Sequence, residues 1–154
     1  VSYLHDQFDA DVIAESFITG REFYVGVIGQ ERPETFPPWE LSFSESTAPE
    51  ARFATSRVKF SEKYRRDREI VYGPAKELSP EMEKALSETC KKVYKHLRLS
   101  GYARIDVRVT EAGDIYVIEA NPNPDIAIDE EFAESAMAQG YSYSELLQKI
   151  LLLS

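Results

Sequence analysis

Arg104-Ile105-Asp106, followed thirteen residues after the aspartate by Glu119-Ala120-Asn121, constrains this chain more than any other feature. From Tyr102 to Val109 the residues alternate. Ala103, Ile105, Val107 and Val109 fall on one face and Tyr102, Arg104, Asp106 and Arg108 on the other, the pattern of a half-buried strand. Ile115 to Ala120 is a second β-rich run, and Glu111-Ala112-Gly113-Asp114 between them is a tight-turn sequence with a glycine available for positive φ. The two runs predict a hairpin. If it is symmetric about Ala112 and Gly113, Asp106 lies opposite Glu119 and Arg104 opposite Asn121, with all four side chains on one face.

Directly opposed carboxylates have β-carbons about 5 Å apart, and at an effective dielectric of about 20 their repulsion is on the order of 3 kcal/mol. One relief is a cation. Oxygen donors from Asp106, Glu119 and the Asn121 amide suit a hard ion such as magnesium, which keeps several waters and is commonly completed by substrate phosphates. The other relief is that Arg104 and Arg108 neutralise two surface acids. The hairpin by itself leaves both open.

Composition narrows the classes. With 154 residues, 43% hydrophobic and 29% charged, the chain has the size and make-up of one folded domain. The single cysteine, Cys90, excludes a disulfide within the chain and falls on an apolar helical stripe, so it reads as a buried core thiol. The apolar run Ile150-Leu151-Leu152-Leu153 is far too short to span a bilayer. A net charge of −9 argues against nucleic-acid or anionic-membrane partners, which require clustered positive charge. A reducing, cytoplasmic setting is expected. The chain opens on Val1 and runs almost at once into strand-like sequence, as though cut from something longer.

Asp11 to Ile18 and Glu22 to Ile28, joined by Thr19-Gly20-Arg21, predict a first hairpin with Phe23, Val25 and Val27 on its inner face. Arg32 to Ala54, which includes Pro37-Pro38, reads as a long loop or irregular edge segment. Lys59 to Arg68 concentrates positive charge. Ser79-Pro80 starts a helix, with Ser79 as N-cap and Met82, Leu86, Cys90, Val93 and Leu97 as its stripe, and Gly101 supplies the stop. An Asp129 to Met137 segment is moderately helical. The capping box Ser142-Tyr143-Ser144-Glu145 opens a last helix that buries Leu146, Leu147, Ile150 and Leu151. This order predicts an α+β fold with an antiparallel sheet packed against helices. His5 and His96 make no triad with Cys90 or a serine, and no glycine-rich phosphate loop is present.

From about Val12 to Leu153 the residues resemble the C-terminal half of the ATP-grasp ligases, and most closely the D-alanine:D-alanine ligase family. There an Arg-x-Asp strand is followed by Glu-x-Asn at the spacing seen here. The resemblance implies that Asp106, Glu119 and Asn121 bind a pair of magnesium ions, with Glu119 bridging and manganese an acceptable substitute, and that Arg104 stabilises the transferring phosphoryl group. Glu15-Ser16-Phe17-Ile18, with Gly20 and Glu22 after it, is similar to the nucleotide hinge of the family. Its backbone there meets the adenine edge, and the acid matching Glu22 binds ribose hydroxyls. An apolar wall from Phe17, Ile18 and Ile118 would sandwich the base. Lys63-Tyr64, with Gly73-Pro74-Ala75 beyond, matches the Ala-Lys-Tyr and Cys-Pro-Ala elements of the family, which makes Lys63 the contact to the terminal phosphate and Lys59 its rival.

The implied function is that of an ATP- and magnesium-dependent carboxylate-amine ligase. It would form an amide through an acyl phosphate, with a small-molecule carboxylate and amine as partners and self-association left open. The alternative is a non-catalytic nucleotide-binding or regulatory module. In the family, Thr-x-Pro-Gly follows Glu-x-Asn, and a serine beyond it helps to hold the substrate carboxylate. Here Asp125 stands at the glycine position and Glu130 at the serine position. Acids there repel a carboxylate, so an acceptor other than D-alanine, one carrying positive charge, is expected. Residues 1–154 would form only the C-terminal part of an ATP-grasp domain. The substrate domain and the first half of the ATP clamp would lie outside them, and such a piece would bind ATP weakly and turn nothing over.

Overall fold

A computed structural model describes residues 2–44, 46–48, 52, 58 and 61–153. The elements are α1 (Ser2–Phe8), β1 (Arg21–Ile28), β2 (Glu34–Thr35), β3 (Trp39–Ser42), α2 (Glu62–Asp67), β4 (Val71–Pro74), α3 (Pro80–His96), β5 (Tyr102–Val109), β6 (Ile115–Asn121), α4 (Glu131–Ala138) and α5 (Tyr143–Leu152). The strands form one six-stranded sheet in the order β4-β3-β1-β5-β6, with β2 beside β1. Every pairing is antiparallel. The α+β architecture is the expected one. Among the described residues no helix is long and apolar enough to cross a membrane.

β1 is the centre of the sheet, and this overturns the first predicted hairpin. β5 pairs with β1 along its whole length, from Arg21↔Val109 to Ile28↔Tyr102. β3 and β2 together take most of its other edge. Few backbone donors and acceptors of β1 remain for residues 11–18, which have no regular structure and are mostly exposed. The partners come from far along the chain instead. One is β3, inside the stretch read as a loop: the proline pair ends just before Trp39-Glu40-Leu41-Ser42, whose amides are free to join a ladder.

α3 covers one face of the sheet. Ser79 caps it by accepting from the Met82 amide at 3.2 Å, and Pro80 opens it. Leu86, Cys90 and Tyr94 pack on Phe23, Val25, Val27, Ala103, Ile105, Val107 and Val109, the inward face expected from the alternation. Tyr94 takes the place predicted for Leu97, which is 54% exposed. The stop also comes early: Arg98, at φ 54°, turns the chain, and the Leu99 amide reaches back to the Tyr94 carbonyl. Burial pushes the Cys90 thiol up to about 12.

The other face carries two apolar clusters. At one end Tyr24, Trp39 and Leu41 pack with Val58 and Ile70, and α2 contributes Tyr64. At the other, α4 and α5 lay Phe132, Ala133, Ala136, Leu146 and Ile150 against Ile28 and Phe36. The capping box of α5 is formed, whereas Leu151 of its predicted stripe is exposed.

Candidate active site

A strip of that face holds Glu22 of β1, Arg104, Asp106 and Arg108 of β5 and Glu119 of β6. Asp106 pairs with Glu119 and Arg104 with Asn121, as the sequence predicts. A β-bulge delivers that register. Next to the turn the pairs are Val109↔Ile115, Arg108↔Tyr116 and Val107↔Val117, and between Val107 and Asp106 the register shifts by one, which leaves Ile118 as the extra residue. Were the turn register continued, Glu119 would oppose Ile105 and face the α3 core. Asp106 is buried, Asn121 half-buried, and Glu119 and Ile118 exposed.

Arg104 spans this strip. Its Nε and Nη2 donate to the two oxygens of Asp106 at 2.7 and 2.9 Å, its Nη1 donates to Glu131, and its guanidinium carbon lies 5.0 Å from the centre of the Tyr24 ring. Neutralisation of Asp106 by Arg104 is thus realised. Glu119 is different: among the described residues it has no hydrogen-bond or ion-pair partner. No three His, Cys, Asp or Glu side chains among the described residues gather into a metal-binding group. A cation here would take two carboxylates and the Asn121 amide, whose Oδ1 already accepts from the Asn123 amide at 3.0 Å and keeps a lone pair. That donor set fits a hard ion completed by water and phosphate.

Arg108 pairs elsewhere. Its Nε and Nη2 donate to Glu22 at 3.1 and 2.8 Å, its Nη1 donates to the Ile18 carbonyl at 2.7 Å, and it also reaches the Arg52 carbonyl. Tyr24 donates its hydroxyl to Glu22 at 2.7 Å, and burial together with the Glu22 charge holds that phenol far above its ordinary value. Glu22, the predicted ribose acid, is therefore almost buried and already bonded on both oxygens. Phe17 lies over the Arg108 guanidinium at 4.7 Å, and Glu15 is exposed in the irregular stretch before it. Gly20 lets this stretch enter β1, because a Cβ there would stand 2.1 Å from the Val109 carbonyl oxygen.

Lys63 is exposed on α2, and Lys59 lies outside the described residues. Among the described members of the basic run, Arg65 stands 5.8 Å from the Tyr72 ring, donates to the Val58 carbonyl at 2.9 Å, and its charge reaches Glu130. Partial burial, a hydrogen bond with Glu131 and the charges of Glu131 and Asp125 raise Glu130 above the ordinary carboxylate value. Asp125 is exposed and accepts from the Ala127 amide at 2.9 Å. Glu131, Tyr24 and Arg65 were not singled out by sequence reasoning. Only the paired acids at the start of α4 hinted at a cationic partner.

The sequence profile of the family described as D-ala D-ala ligase C-terminus matches residues 3–152. D-alanine-D-alanine ligase B of Chromobacterium violaceum is 33% identical over 145 residues, covering 94% of this chain and 43% of that protein. The D-alanine-D-alanine ligase of Acinetobacter baumannii is 32% identical over 148 residues, with the same coverage of 94% and 43%. The VanG D-Ala:D-Ser ligase from Enterococcus faecalis superposes with a TM-score of 0.72 at 24% identity, over 90% of this chain and 37% of that one. The D-alanine-D-alanine ligase from Bacillus anthracis complexed with ATP gives 0.65 at 23%, over 90% and 38%. These two structural likenesses are of fold. The chain spans less than half the length of the curated relatives it matches. With a family profile over nearly its full length and a relative at 33% identity, the chain belongs to the D-alanine-D-alanine ligase family, whose C-terminal domain it matches.

Proposed function

We propose that this chain is the nucleotide- and cation-binding half of an ATP-dependent carboxylate-amine ligase. The observation that carries the reading is the pairing of Asp106 with Glu119 on one sheet face, beside Arg104 and Asn121. Asp106, Glu119 and Asn121 would hold magnesium, which when bound neutralises phosphate charge. Arg104 would offer N–H donors to the transferring phosphoryl group, and Lys63 would act as a point charge for the terminal phosphate. The backbone at Ile18, with Phe17 and Ile118, would receive the base, and Glu15 and Glu22 would line that end. Phosphoryl transfer to a carboxylate needs positioning and electrostatics rather than a nucleophilic side chain. The resulting acyl phosphate would be attacked by an amine, giving an amide, ADP and phosphate.

The acceptor is proposed to be an amine with additional positive charge rather than D-alanine, because Asp125 and Glu130 add negative charge where a substrate carboxylate would sit. The relatives named above are D-alanine-D-alanine ligases, so specific use of D-alanine by the natural-length protein would refute this part. A second reading, a nucleotide-binding module without turnover, is favoured by the engagement of Arg104 with two carboxylates. Phosphate release by the natural-length protein in a pool of amino acids separates the two, since a binding module shows none above background.

The test of the site is calorimetric titration of a non-hydrolysable ATP analogue with and without magnesium, on the natural-length protein and on its Glu119→Gln variant. Magnesium-dependent binding that the substitution removes is the expected result. Equal binding by the variant would mean that the hairpin is not the metal site.

A further inference from the structure

Arg104 is held by groups from three different elements. Asp106 lies on its own strand, Tyr24 belongs to β1, and Glu131 opens α4. Glu131 owes its place to a missing side chain. Gly26 is the β1 residue paired with Arg104, and a Cβ on it would lie 2.7 Å from Phe36 and 3.1 Å from Phe132. The bare backbone at Gly26 lets Phe132 settle on the sheet, where it packs edge-on against Phe36 and tilted against Tyr102. Glu131, one residue before Phe132, is thereby brought onto the Arg104 guanidinium. The two side chains are only 13% and 15% exposed, so the contact is shielded from solvent.

A second carboxylate on an arginine that is to meet a phosphoryl group opposes that task on charge alone. Its value is geometric. Both Asp106 oxygens are occupied by Arg104, and a carboxylate drawn to a divalent ion gives up part of such a pairing. An arginine freed from its bidentate partner regains rotamer freedom, and that freedom has to be lost again when it meets the phosphoryl group. Glu131 grips a different nitrogen from a different element, and it stands apart from the donor set of the hairpin.

We propose that Glu131 is a positioning residue, which keeps the Arg104 guanidinium in place when Asp106 turns to a divalent cation. The inference rests on the reading of Asp106 and Glu119 as a cation site. Its test is the NMR signal of the Arg104 guanidinium protons in the natural-length protein, assigned by their loss in Arg104→Lys, as magnesium and a non-hydrolysable ATP analogue are added. In the unsubstituted protein the Nε–H signal should shift, while the Nη–H protons stay protected from solvent exchange. In Glu131→Ala the same addition should raise that exchange about tenfold or more, the equivalent of one charge-assisted hydrogen bond. Glu131→Asp keeps the charge but falls a methylene short, and should behave like the alanine variant. Glu131→Gln keeps the oxygen acceptor without the charge, and should behave like the unsubstituted protein. The rest of each spectrum reports whether the variant is folded, and the aspartate and glutamine pair decides the matter if alanine is not tolerated.

Protection in Glu131→Ala and Glu131→Asp equal to that of the unsubstituted protein would overturn the proposal. So would a glutamine variant as exposed as the aspartate one, because charge rather than position would then be at work. Arg104 signals that ignore magnesium in the unsubstituted protein would instead sink the cation site itself, and this inference with it. Signals that respond to magnesium but are alike in all variants would sink the inference alone.

Discussion

Replacing Arg108 by methionine keeps a flexible stem of similar length and removes every N–H. Glu22 then loses donors at 3.1 and 2.8 Å and retains only the Tyr24 hydroxyl, while the Ile18 carbonyl loses its 2.7 Å donor. The Arg108 and Glu22 side chains are 4% and 10% exposed, so solvent screening does little to reduce the effect. Removing one partner of such a pair costs about 3–5 kcal/mol, a large share of the roughly 5–15 kcal/mol that holds a domain together. With a urea slope of about 2 kcal/mol per molar, the unfolding midpoint should fall by about 2 M. Trp39 is the single tryptophan, is 6% exposed and packs with Tyr24, so its fluorescence reports the transition. Adding Glu22→Gln should recover most of the loss, since the neutral amide removes the unpaired buried charge and still accepts from Tyr24. A loss under about 1 kcal/mol for Arg108→Met, or a double variant no better than the single one, would refute the view that Glu22 is a buried charge held by Arg108.

Gly26→Ala should destabilise the fold by about 1–2 kcal/mol, overpacking against Phe36 and Phe132 outweighing the strand preference of alanine; a variant as stable as its parent in urea would mean that the rings yield freely. Glu130 has a raised folded value, so its stabilising contribution is present below the ordinary carboxylate range and lost as pH rises through that value. Glu130→Gln should therefore stabilise the protein at pH 7 relative to its effect at pH 4, and an equal effect at both pH values would contradict the assignment. Burial holds the Cys90 thiol at about 12, so thiol reagents at pH 8 should label it only as fast as the core opens; rapid labelling without denaturant would show the core to be open.

What could be read from the sequence was local. The Tyr102 to Val109 alternation, the Ser79 cap and the Ser142 capping box each depend on residues within a turn or a strand of one another, and each is formed. The partners of β1 depend on competition between distant strands, and there local reasoning paired residues 11–18 with a strand whose edges are largely taken by β5, β3 and β2. The candidate site divides in the same way. Asp106, Glu119, Arg104 and Asn121 follow from hairpin register, whereas Glu131 comes in from α4, 27 residues beyond Arg104. No periodicity connects those two positions. Phe132 and Gly26 bring them together by packing.

The bulge at Ile118 bears on how relatives of this chain should be read. The hairpin keeps one register at its turn and another at its charged end, and the single extra residue reconciles them. Were the bulge ironed out with Ile118 in place, Glu119 would turn towards the aliphatic core, whereas loss of Ile118 itself would let Glu119 meet Asp106 in an unbroken ladder. A homologue one residue shorter between Arg-x-Asp and Glu-x-Asn would therefore keep the same carboxylate pair on a regular hairpin. Spacing has to be read together with register: at this turn thirteen residues from aspartate to glutamate need one bulged residue, and a hairpin one residue shorter needs none.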